Sequence, residues 1–478
     1  MLFRSRGEYD KAASAYAKAP PTPRNRYRVA RGLQLDDKLE AAKSAYQRMI
    51  KAFPRAEETG LALRRLAGLS TPEPAISYLD RVIAQFPKEA PAALLQKAKL
   101  LDLRDPKAAA QARQALLTRY PNSDAAAEYR WQIAEKFAAA GDLIKAWQWA
   151  QPITSNNPDS DLAPKAGFWV GKWAEKLGHS RDAKKAFQHV LGKYPQSYYA
   201  WRSAVHLGLP VGDFNSLRRH SPVLDKPMGR TQPPAGSATF QELYHLGQDG
   251  DAWRLFQAET ANRKELTVEE QFTDALLKLN RGHNLAGINQ IWGLKEQKTP
   301  ADQQQFQELR QTSEYWHSLF PFPFYDAIVN WSQKRQLNPL LVTSLIRQES
   351  RFEPAIRSPV GATGLMQVMP TTGRWIADKI NLKDYSLTNP ENNINLGTWY
   401  LDHTHEQYGD NSLLAVASYN AGPGNVAKWV KKYGLDDFDQ FVENIPFAET
   451  RGYVESVFGN YWNYLRIYNP EIRNLVRS

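Results

Sequence analysis

A glutamate near the end of a predicted helix combines two properties that favour acid catalysis. The helix covers residues 340–350, and Glu349 shares its apolar face because three apolar residues precede it at helical spacing: Val342, Leu345 and Ile346. Removal from water raises the pKa of a carboxyl group, and a carboxyl that is protonated near neutral pH can act as a general acid. From this helix alone, a helix-end glutamate paired with Arg347 or Arg351 is the simpler interpretation.

A glycine-containing loop follows the helix at residues 358–370. Gly361 and Gly364 allow the backbone to approach a ligand closely, since glycine has no side chain to obstruct it. Gln367 offers an amide donor and acceptor, and Met369 offers a soft apolar contact. The composition of this loop is therefore that of a binding segment.

Two later segments place polar side chains at helix ends. Residues 417–424 predict a helix that ends in a turn of Asn, Gly and Pro with a tyrosine at its tip. Residues 445–454 predict a proline-initiated helix in which Glu449 and Tyr453 lie one turn apart. The Gly-Pro-Gly turn alone is a weak signal, so these segments gain weight only together with the glutamate and the loop.

The elements that must position these residues are predicted to be helices throughout. Asn338 can cap the first turn of the glutamate helix, Pro339 fits its first position, and Pro354 stops the chain from continuing it. No segment shows the sustained alternation of a strand, so the fold class is predicted to be all-α.

The first 208 residues show a repeat of helix pairs. Proline follows a helix-like run at intervals of 33 to 37 residues, at Pro54, Pro87, Pro121, Pro158 and Pro195. A period near 34 residues with paired helices is typical of a tetratricopeptide-like α-superhelical solenoid, in which each pair buries its apolar face against the next. Residues 209–238 then change character, with prolines and glycines that predict a linker: Pro210, Gly212, Pro222, Pro227, Gly229, Pro233, Pro234 and Gly236.

Taken together, four blocks resemble the soluble lytic transglycosylase family, whose catalytic domain is related in fold to goose-type lysozyme. The blocks are residues 347–352, 358–370, 417–424 and 449–454, in the order that the family has them, with residues 393–401 fitting the helix between the second and third. The resemblance covers residues 320–478 strongly and the solenoid only in architecture. It implies three domains: a solenoid at 1–208, a linker with further helices at 209–319, and a lysozyme-like catalytic domain at 320–478.

The resemblance also implies roles and a reaction. Glu349 would be the single catalytic acid/base, which cleaves the β-1,4 bond between MurNAc and GlcNAc in peptidoglycan and leaves a 1,6-anhydro-MurNAc end. The acetamido group of the substrate would take the place of a second carboxylate. The family pattern assigns substrate binding to Ser358, Gln367, Met369, Tyr419, Asn420, Glu449 and Tyr453.

Two other functions stay open at this stage. If Glu353, Asp402 or Glu449 activated a water molecule, the protein would be a hydrolysing muramidase on the same fold. If the site had no catalytic activity, the chain would be an adaptor whose solenoid binds the cell wall or protein partners. The solenoid itself is either a scaffold or a platform for the polymer or for a cell-wall or divisome protein partner.

Composition restricts partners and cofactors. The chain has no cysteine, which excludes disulfides and thiolate metal sites, and His403 and His405 are two positions apart and do not share a helical face. We therefore expect neither a metal nor a cofactor. The net charge of +11 attracts acidic polymers. Because no basic run or nucleic-acid-binding motif accompanies this charge, nucleic acid is not expected, and peptidoglycan glycan strands are the favoured partner.

Neither a signal peptide nor a transmembrane segment is apparent. Residues 1–7 lack an apolar core of the necessary length, and no stretch approaches about 18 apolar residues. We expect a mature chain whose signal peptide has been removed. From the implied substrate we expect it to lie in the periplasm or cell envelope.

Overall fold

The computed structural model describes residues 9–225, 229–297 and 299–477. Residues 1–7, on which the signal-peptide expectation rests, and Pro227 of the expected linker lie outside these ranges. Over the described residues the protein is all-α, as predicted, with only isolated β-bridges that join Arg357, Thr363 and Val368. No helix in these ranges is long and apolar enough to cross a membrane. The chain divides into two compact units, residues 1–186 and 187–478.

The first unit consists of consecutive antiparallel helix pairs. The helices are α1 (Tyr9–Lys18), α2 (Pro23–Leu35), α3 (Leu39–Ala52), α4 (Glu57–Ala67), α5 (Pro72–Gln85), α6 (Ala90–Leu101), α7 (Pro106–Arg119), α8 (Asp124–Ala139), α9 (Leu143–Asn156) and α10 (Ala163–Lys176); α11 (Ser180–Lys193) extends into the second unit. Helices α3, α5, α7, α9 and α11 each end two residues before one of the five periodic prolines, because proline lacks the N–H that a helix needs and clashes with the preceding turn. The predicted repeat is therefore confirmed.

Small residues let the helices of the first unit pack closely. Ala42, Ala62, Ala75 and Ala93 are fully buried at the helix contacts. Larger apolar side chains fill the spaces between them: Tyr46, Met49, Leu63, Leu66, Leu79, Val82 and Phe86. Each helix thus buries one face against its neighbours along the chain, which is how a repeat array builds a continuous core.

The second unit continues with helices of more varied length. They are α12 (Tyr198–His206), α13 (Ala238–His245), α14 (Asp249–Thr260), α15 (Val268–Asn280), α16 (Asn284–Gly293), α17 (Pro300–Arg310), α18 (Ser313–Leu319), α19 (Tyr325–Lys334), α20 (Pro339–Ser350), α21 (Pro370–Lys379), α22 (Pro390–Gln407), α23 (Ser412–Ala421), α24 (Pro423–Tyr433), α25 (Phe438–Asn444), α26 (Ala448–Tyr468) and α27 (Pro470–Arg477). Short 3₁₀ turns lie at Leu217–Arg219 and Leu294–Glu296.

Helices α20 and α26 form the centre of this unit. Helix α26 is 21 residues long and most of its side chains are buried. Its Phe458 ring stacks on Trp201 with 5.0 Å between ring centroids. Helix α20 packs along α26, and its residues from Leu340 to Arg347 are all buried. Two such helices give a rigid support to any side chain at their ends.

The segment predicted as a linker at 209–238 is irregular but does not lie free. Arg218 is buried and its guanidinium group binds Asp402 of α22 and Asp410 of the turn that follows α22. The carbonyl oxygen of Leu217 accepts a 3.1 Å hydrogen bond from the Asn338 side chain at the start of α20. The segment therefore supports the N-terminal end of the glutamate helix.

Candidate active site

The glutamate singled out in the sequence lies in the last turn of α20. The helix begins as predicted, because the Asn338 side chain accepts a hydrogen bond from the Leu340 amide at 2.9 Å and Pro339 occupies the first position. The three apolar residues that share a face with Glu349 are fully buried: Val342, Leu345 and Ile346. Glu349 itself is half-buried, so its carboxyl group is both shielded and accessible.

A single side-chain hydrogen bond reaches this carboxyl group within the described part of the chain. The hydroxyl group of Tyr453 on α26 donates a hydrogen bond of 2.6 Å to Oε1 of Glu349. Tyr453 is buried, and burial raises the pKa of its hydroxyl well above the usual value, so the tyrosine is a neutral donor. The bond fixes the orientation of the carboxyl group without adding a charge.

The environment of Glu349 favours its protonated form. Burial raises its pKa from 4.5 to about 7, and the hydrogen bond from Tyr453 opposes this rise because it stabilises the carboxylate. A carboxyl group with such a pKa is protonated in a large fraction of molecules at neutral pH. It can both give up a proton and take one back in that range.

The chain reverses direction immediately after α20 in a strained conformation. Arg351 and Phe352 have positive φ angles of 47° and 63°, which are unusual for residues other than glycine. Phe352 is fully buried, and the Ser350 hydroxyl group donates to the Leu365 carbonyl at 2.8 Å. These contacts hold the reversal and tie the glutamate helix to the following loop.

One asparagine side chain holds the glycine-containing loop together. The Asn393 amide nitrogen donates to the carbonyl oxygens of Thr363 at 2.9 Å and Leu387 at 2.8 Å, and its oxygen accepts from the Met366 amide at 2.7 Å. Asn393 is fully buried. Gly364, with φ of 84°, passes against this side chain where a Cβ atom would overlap it. The loop is thus fixed from within by α22.

Three predicted binding residues lie in this loop but differ in what they contact. The side-chain amide of Gln367 donates to the carbonyl oxygens of Ile356 and Gly364, and these bonds hold the shape of the loop. The backbone of Gln367 has a positive φ angle of 48°. The Ser358 hydroxyl accepts a hydrogen bond from the Ala362 amide. Met369 caps α21 and is exposed. Of the three, Met369 presents the most open surface.

Tyr419 lies in the last turn of α23 and connects this helix to the same loop. Its hydroxyl group donates to the Met366 carbonyl at 2.9 Å, and its ring meets the Tyr400 ring at 5.4 Å between centroids. Burial raises the pKa of Tyr419 well above its usual value, and the charge of Glu349 raises it further. The structure therefore brings Tyr419 close to both the loop and the glutamate.

Of the remaining two predicted residues, Asn420 lies at the end of α23 and Glu449 at the start of α26. The Asn420 side chain accepts a 2.7 Å hydrogen bond from the Thr450 hydroxyl, which joins the end of α23 to α26. Glu449 is exposed in the first turn of α26, one turn before Tyr453. The helix begins at Ala448, two residues after the proline that was expected to start it.

The other acids considered in the sequence have different surroundings. Asp402 accepts a 2.5 Å hydrogen bond from the buried Arg218 guanidinium group. Burial raises the pKa of Asp402 while Arg218 lowers it. Glu353 is half-buried just after the reversal and its backbone amide donates to Ser350. Within the described residues, neither acid is among the groups that affect the pKa of Glu349.

The histidines of α22 have separate environments. His405 is fully buried between the Leu401 carbonyl at 2.8 Å and the Ser412 hydroxyl at 3.0 Å, and burial lowers its pKa to about 4. His403 is half-buried and stacks on Trp399. No cluster of three or more possible metal ligands occurs in the described ranges.

The sequence interpretation missed two supporting residues. Asn393 was recognised only as part of a matching helix, and Ser350 only as the end of α20. An asparagine at an inward position of α22 is the signal that could have identified the first, since a buried amide requires polar partners. Nothing comparable distinguished Ser350, whose partner is a backbone carbonyl.

Known proteins resemble both parts of the chain. Residues 326–442 match the family described as Transglycosylase SLT domain, and residues 165–197 match a tetratricopeptide repeat. The first match contains the glutamate helix, the loop and the turn after α23, and ends before α26. It confirms the resemblance noted in the sequence.

Curated relatives extend the likeness. The soluble lytic murein transglycosylase of Salmonella typhimurium strain LT2 is 42% identical over 299 residues, which cover 61% of this chain and 42% of the relative. The protein of the same name from Escherichia coli K12 is 38% identical over 307 residues, which cover 62% and 43%. The matches therefore span less than half of the length of these relatives.

Two solved structures share the fold. The 70 kDa soluble lytic transglycosylase from Escherichia coli has a TM-score of 0.51 at 20% identity, covering 97% of this chain and 79% of that one. An inactive mutant of the lytic transglycosylase Slt from Pseudomonas aeruginosa has a TM-score of 0.52 at 22% identity, with coverages of 98% and 82%.

Proposed function

The chain carries a transglycosylase SLT domain at residues 326–442, and we propose that it is a peptidoglycan lytic transglycosylase with Glu349 as its single acid/base. The observation that carries the proposal is the position of Glu349 at the end of α20, half-buried, with a hydrogen bond of 2.6 Å from the neutral hydroxyl group of Tyr453. Burial at this position raises the pKa of Glu349 to about 7. The names of the curated relatives supply the substrate, the murein of the bacterial cell wall.

The proposed reaction begins with proton transfer. Protonated Glu349 donates its proton to the glycosidic oxygen between MurNAc and GlcNAc, and the bond from C1 of MurNAc to that oxygen breaks. The acetamido oxygen of MurNAc stabilises the positive charge at C1. Substrate assistance of this kind is a recognised exception to the use of two carboxylates.

The second step returns the proton to the enzyme. Glu349, now a carboxylate, removes the proton from the O6 hydroxyl of the same MurNAc, and O6 bonds to C1 as the acetamido oxygen leaves. The product is a 1,6-anhydro-MurNAc end and no water is consumed. Intramolecular attack benefits from a high effective molarity, which favours O6 over a water molecule.

The surroundings of Glu349 support a mechanism with one carboxylate. A retaining enzyme holds its two carboxyl groups about 5–5.5 Å apart and an inverting one about 6.5–9.5 Å apart. The side-chain hydrogen bond to Glu349 within the described residues comes from Tyr453, which is not an acid, and Asp402 is bound by Arg218. These contacts favour a transglycosylase over the muramidase alternative.

We further propose how the neighbouring residues act. Tyr453 orients the acid, and Met369 and Tyr419 line the sugar site. Ser358 and Gln367 set the shape of the loop that receives the acetamido group, while Asn420 fixes the turn beside it. The exposed Glu449 contacts polar groups of the glycan from the start of α26.

The proposal extends to organisation and location. The domain assignment at 1–208, 209–319 and 320–478 stays a proposal, as does the periplasm or cell envelope as the site of action. The net charge of +11 supports binding of acidic peptidoglycan. For the solenoid we propose contact with the glycan polymer, because basic residues are spread along its sequence.

Digestion of purified sacculi followed by mass spectrometry tests the proposal. The wild-type protein should release muropeptides with anhydro ends, and Glu349→Gln should lose activity by a factor of about 100 to 10,000, as expected for removal of a general acid. Glu353→Gln is the matched control and should retain activity. Reducing ends would instead indicate a muramidase, and full activity of Glu349→Gln would overturn the site assignment.

A further inference from the structure

A cavity of about 550 Å³ lies in the second unit, and Glu349 is not among the residues that line it. Helix α20 contributes Arg347, Gln348 and Arg351 to its lining, but not Glu349. Arg347 and Glu349 are two residues apart, which turns their side chains by roughly 200° around the helix axis. The cavity is therefore on the opposite side of α20 from the candidate active site.

The lining is strongly cationic. Four basic side chains border the cavity: Lys295, Arg310, Arg347 and Arg351. The one acidic residue in the lining, Glu455, already accepts a hydrogen bond of 3.2 Å from the Tyr199 hydroxyl. An excess of positive charge in a concave site concentrates anions there.

Arg347 has a buried donor without an acceptor. Its side chain is 8% exposed, and its Nη1 atom is buried with no hydrogen-bond partner within the described residues. The guanidinium group lies 4.2 Å from the centre of the Phe320 ring. Burial lowers the pKa of Arg347, and the side chains that act on it are Tyr464, which also hydrogen-bonds it, Arg351 and Tyr468; none of them is a carboxylate. A buried cation without a neighbouring anion is unfavourable, so an anion bound in the cavity would stabilise the guanidinium group of Arg347.

A second orphan donor lines the same cavity. Tyr198 is 7% exposed, and its hydroxyl oxygen is buried and has no hydrogen-bond partner in the described parts of the chain. Buried polar groups in folded proteins are nearly always satisfied. Tyr198 therefore adds a second unsatisfied polar group to the residues that line this cavity.

Aromatic side chains complete the lining and indicate the rest of the ligand. Trp292, Phe306 and Trp316 border the cavity, and Trp292 is 54% exposed. A volume of about 550 Å³ is in the range of sites that take organic ligands. A bare inorganic ion would leave this apolar surface uncovered.

We propose that this cavity binds an organic carboxylate, whose oxyanion accepts hydrogen bonds from Arg347 and Tyr198 and whose apolar part packs against Trp316 and Phe306. The site does not depend on the chemistry proposed for Glu349. Binding at equilibrium therefore tests it separately from glycan cleavage.

Calorimetric titration with three probes tests the ligand class. N-acetylphenylalanine supplies a carboxylate with an aromatic group, its amide lacks the charge, and inorganic phosphate lacks the apolar part. We expect the acid to bind at least tenfold more tightly than either of the other two. Equal binding of acid and amide, or tighter binding of phosphate, would overturn the proposal, as would no binding of the acid.

Variants then locate the bound probe. Arg347→Leu should weaken binding of N-acetylphenylalanine at least tenfold, and Lys295→Gln, a change at the exposed rim that leaves the core intact, about threefold. Arg281→Gln is the matched control, because Arg281 lies over the Trp253 ring outside the cavity and its loss should not change the affinity. Unchanged binding in both Arg347→Leu and Lys295→Gln would place the probe elsewhere and refute the assignment.

Discussion

The hydroxyl group of Tyr453 donates to Oε1 of Glu349 at 2.6 Å and thereby joins the ends of two central helices. Burial alone would leave the carboxyl group protonated over a wide pH range, while the tyrosine stabilises the carboxylate and keeps the pKa at about 7. An acid that must later act as a base needs such a balance between the two forms.

Removal of this hydrogen bond should shift the pH dependence of catalysis upward. In Tyr453→Phe the carboxylate loses a stabilising donor, so the pKa of Glu349 rises and its protonated form persists to higher pH. We expect the basic limb of the kcat/KM profile to move up by about one to two units, since a hydrogen bond to a charged group is worth about 1.5–3 kcal/mol.

The matched control for this shift is another buried tyrosine of α26. The Tyr461 hydroxyl donates to the Val211 carbonyl at 2.8 Å, and Glu349 is not among the groups that affect its pKa. Tyr461→Phe should cost stability but leave the pH profile in place. Equal shifts in the two variants, or a downward shift in Tyr453→Phe, would contradict the role given to Tyr453.

The raised pKa of Glu349 also predicts how stability depends on pH. The folded protein holds this proton up to about pH 7, whereas the unfolded chain releases it near 4.5. The stabilisation is fully present below 4.5 and is lost as pH rises to about 7. The loss amounts to at most about 3 kcal/mol in the free energy of unfolding.

Replacement of the acid by an amide removes this dependence. Glu349→Gln should unfold at nearly the same temperature as the wild type at about pH 4 and at a higher temperature at about pH 8, because glutamine never becomes charged. Calorimetric unfolding at the two pH values measures the difference. If the two proteins differ by the same amount at both pH values, the pKa of Glu349 is not raised.

Sequence patterns predicted the elements of the site better than their contacts. The cap at Asn338 and the apolar stripe before Glu349 follow from local rules of helix formation, and both are present. The partnership of Glu349 with Tyr453 joins residues 104 positions apart, which no local rule specifies. It emerges only when α20 and α26 pack against each other.

Proline and glycine content was an incomplete guide in the segment 209–238. The irregular backbone of this segment was predicted correctly. The prediction of a linker did not include a buried arginine, yet Arg218 is buried. Its two acidic partners, Asp402 and Asp410, come from a distant part of the sequence. Long-range ion pairs of this kind have no signature in spacing or composition.

Substitution by alanine should have different effects at the two glycines of the loop, Gly361 and Gly364. Both have positive φ angles, 94° at Gly361 and 84° at Gly364, so alanine is strained at either position by roughly 1–2 kcal/mol. At Gly364 the added Cβ atom would also overlap the Leu387 carbonyl oxygen and the Asn393 side chain, whereas at Gly361 nothing lies within 4 Å.

We therefore expect Gly364→Ala to displace the loop and lose most of the lytic activity, with Gly361→Ala as the matched control that keeps it. Thermal unfolding and turbidity assays on sacculi measure the two effects. Similar activities for the two variants would show that the packing of the loop against Asn393 is not needed for the reaction.

Substitution of Asp402 should separate stability from chemistry. Arg218 is buried and donates to Asp402 at 2.5 Å, so Asp402→Asn leaves part of a buried cation uncompensated. We expect a loss of about 3 kcal/mol in the free energy of unfolding, near the low end for a broken buried pair because Asp410 still binds Arg218. The reaction products of Asp402→Asn should still carry anhydro ends. In the wild type the Asp402 carboxylate is bound by Arg218 and is therefore a poor base for water, so its removal should not change the reaction. If instead Asp402→Asn remains as stable as the wild type but loses activity, Asp402 takes part in catalysis, and the alternative of a hydrolysing muramidase is favoured.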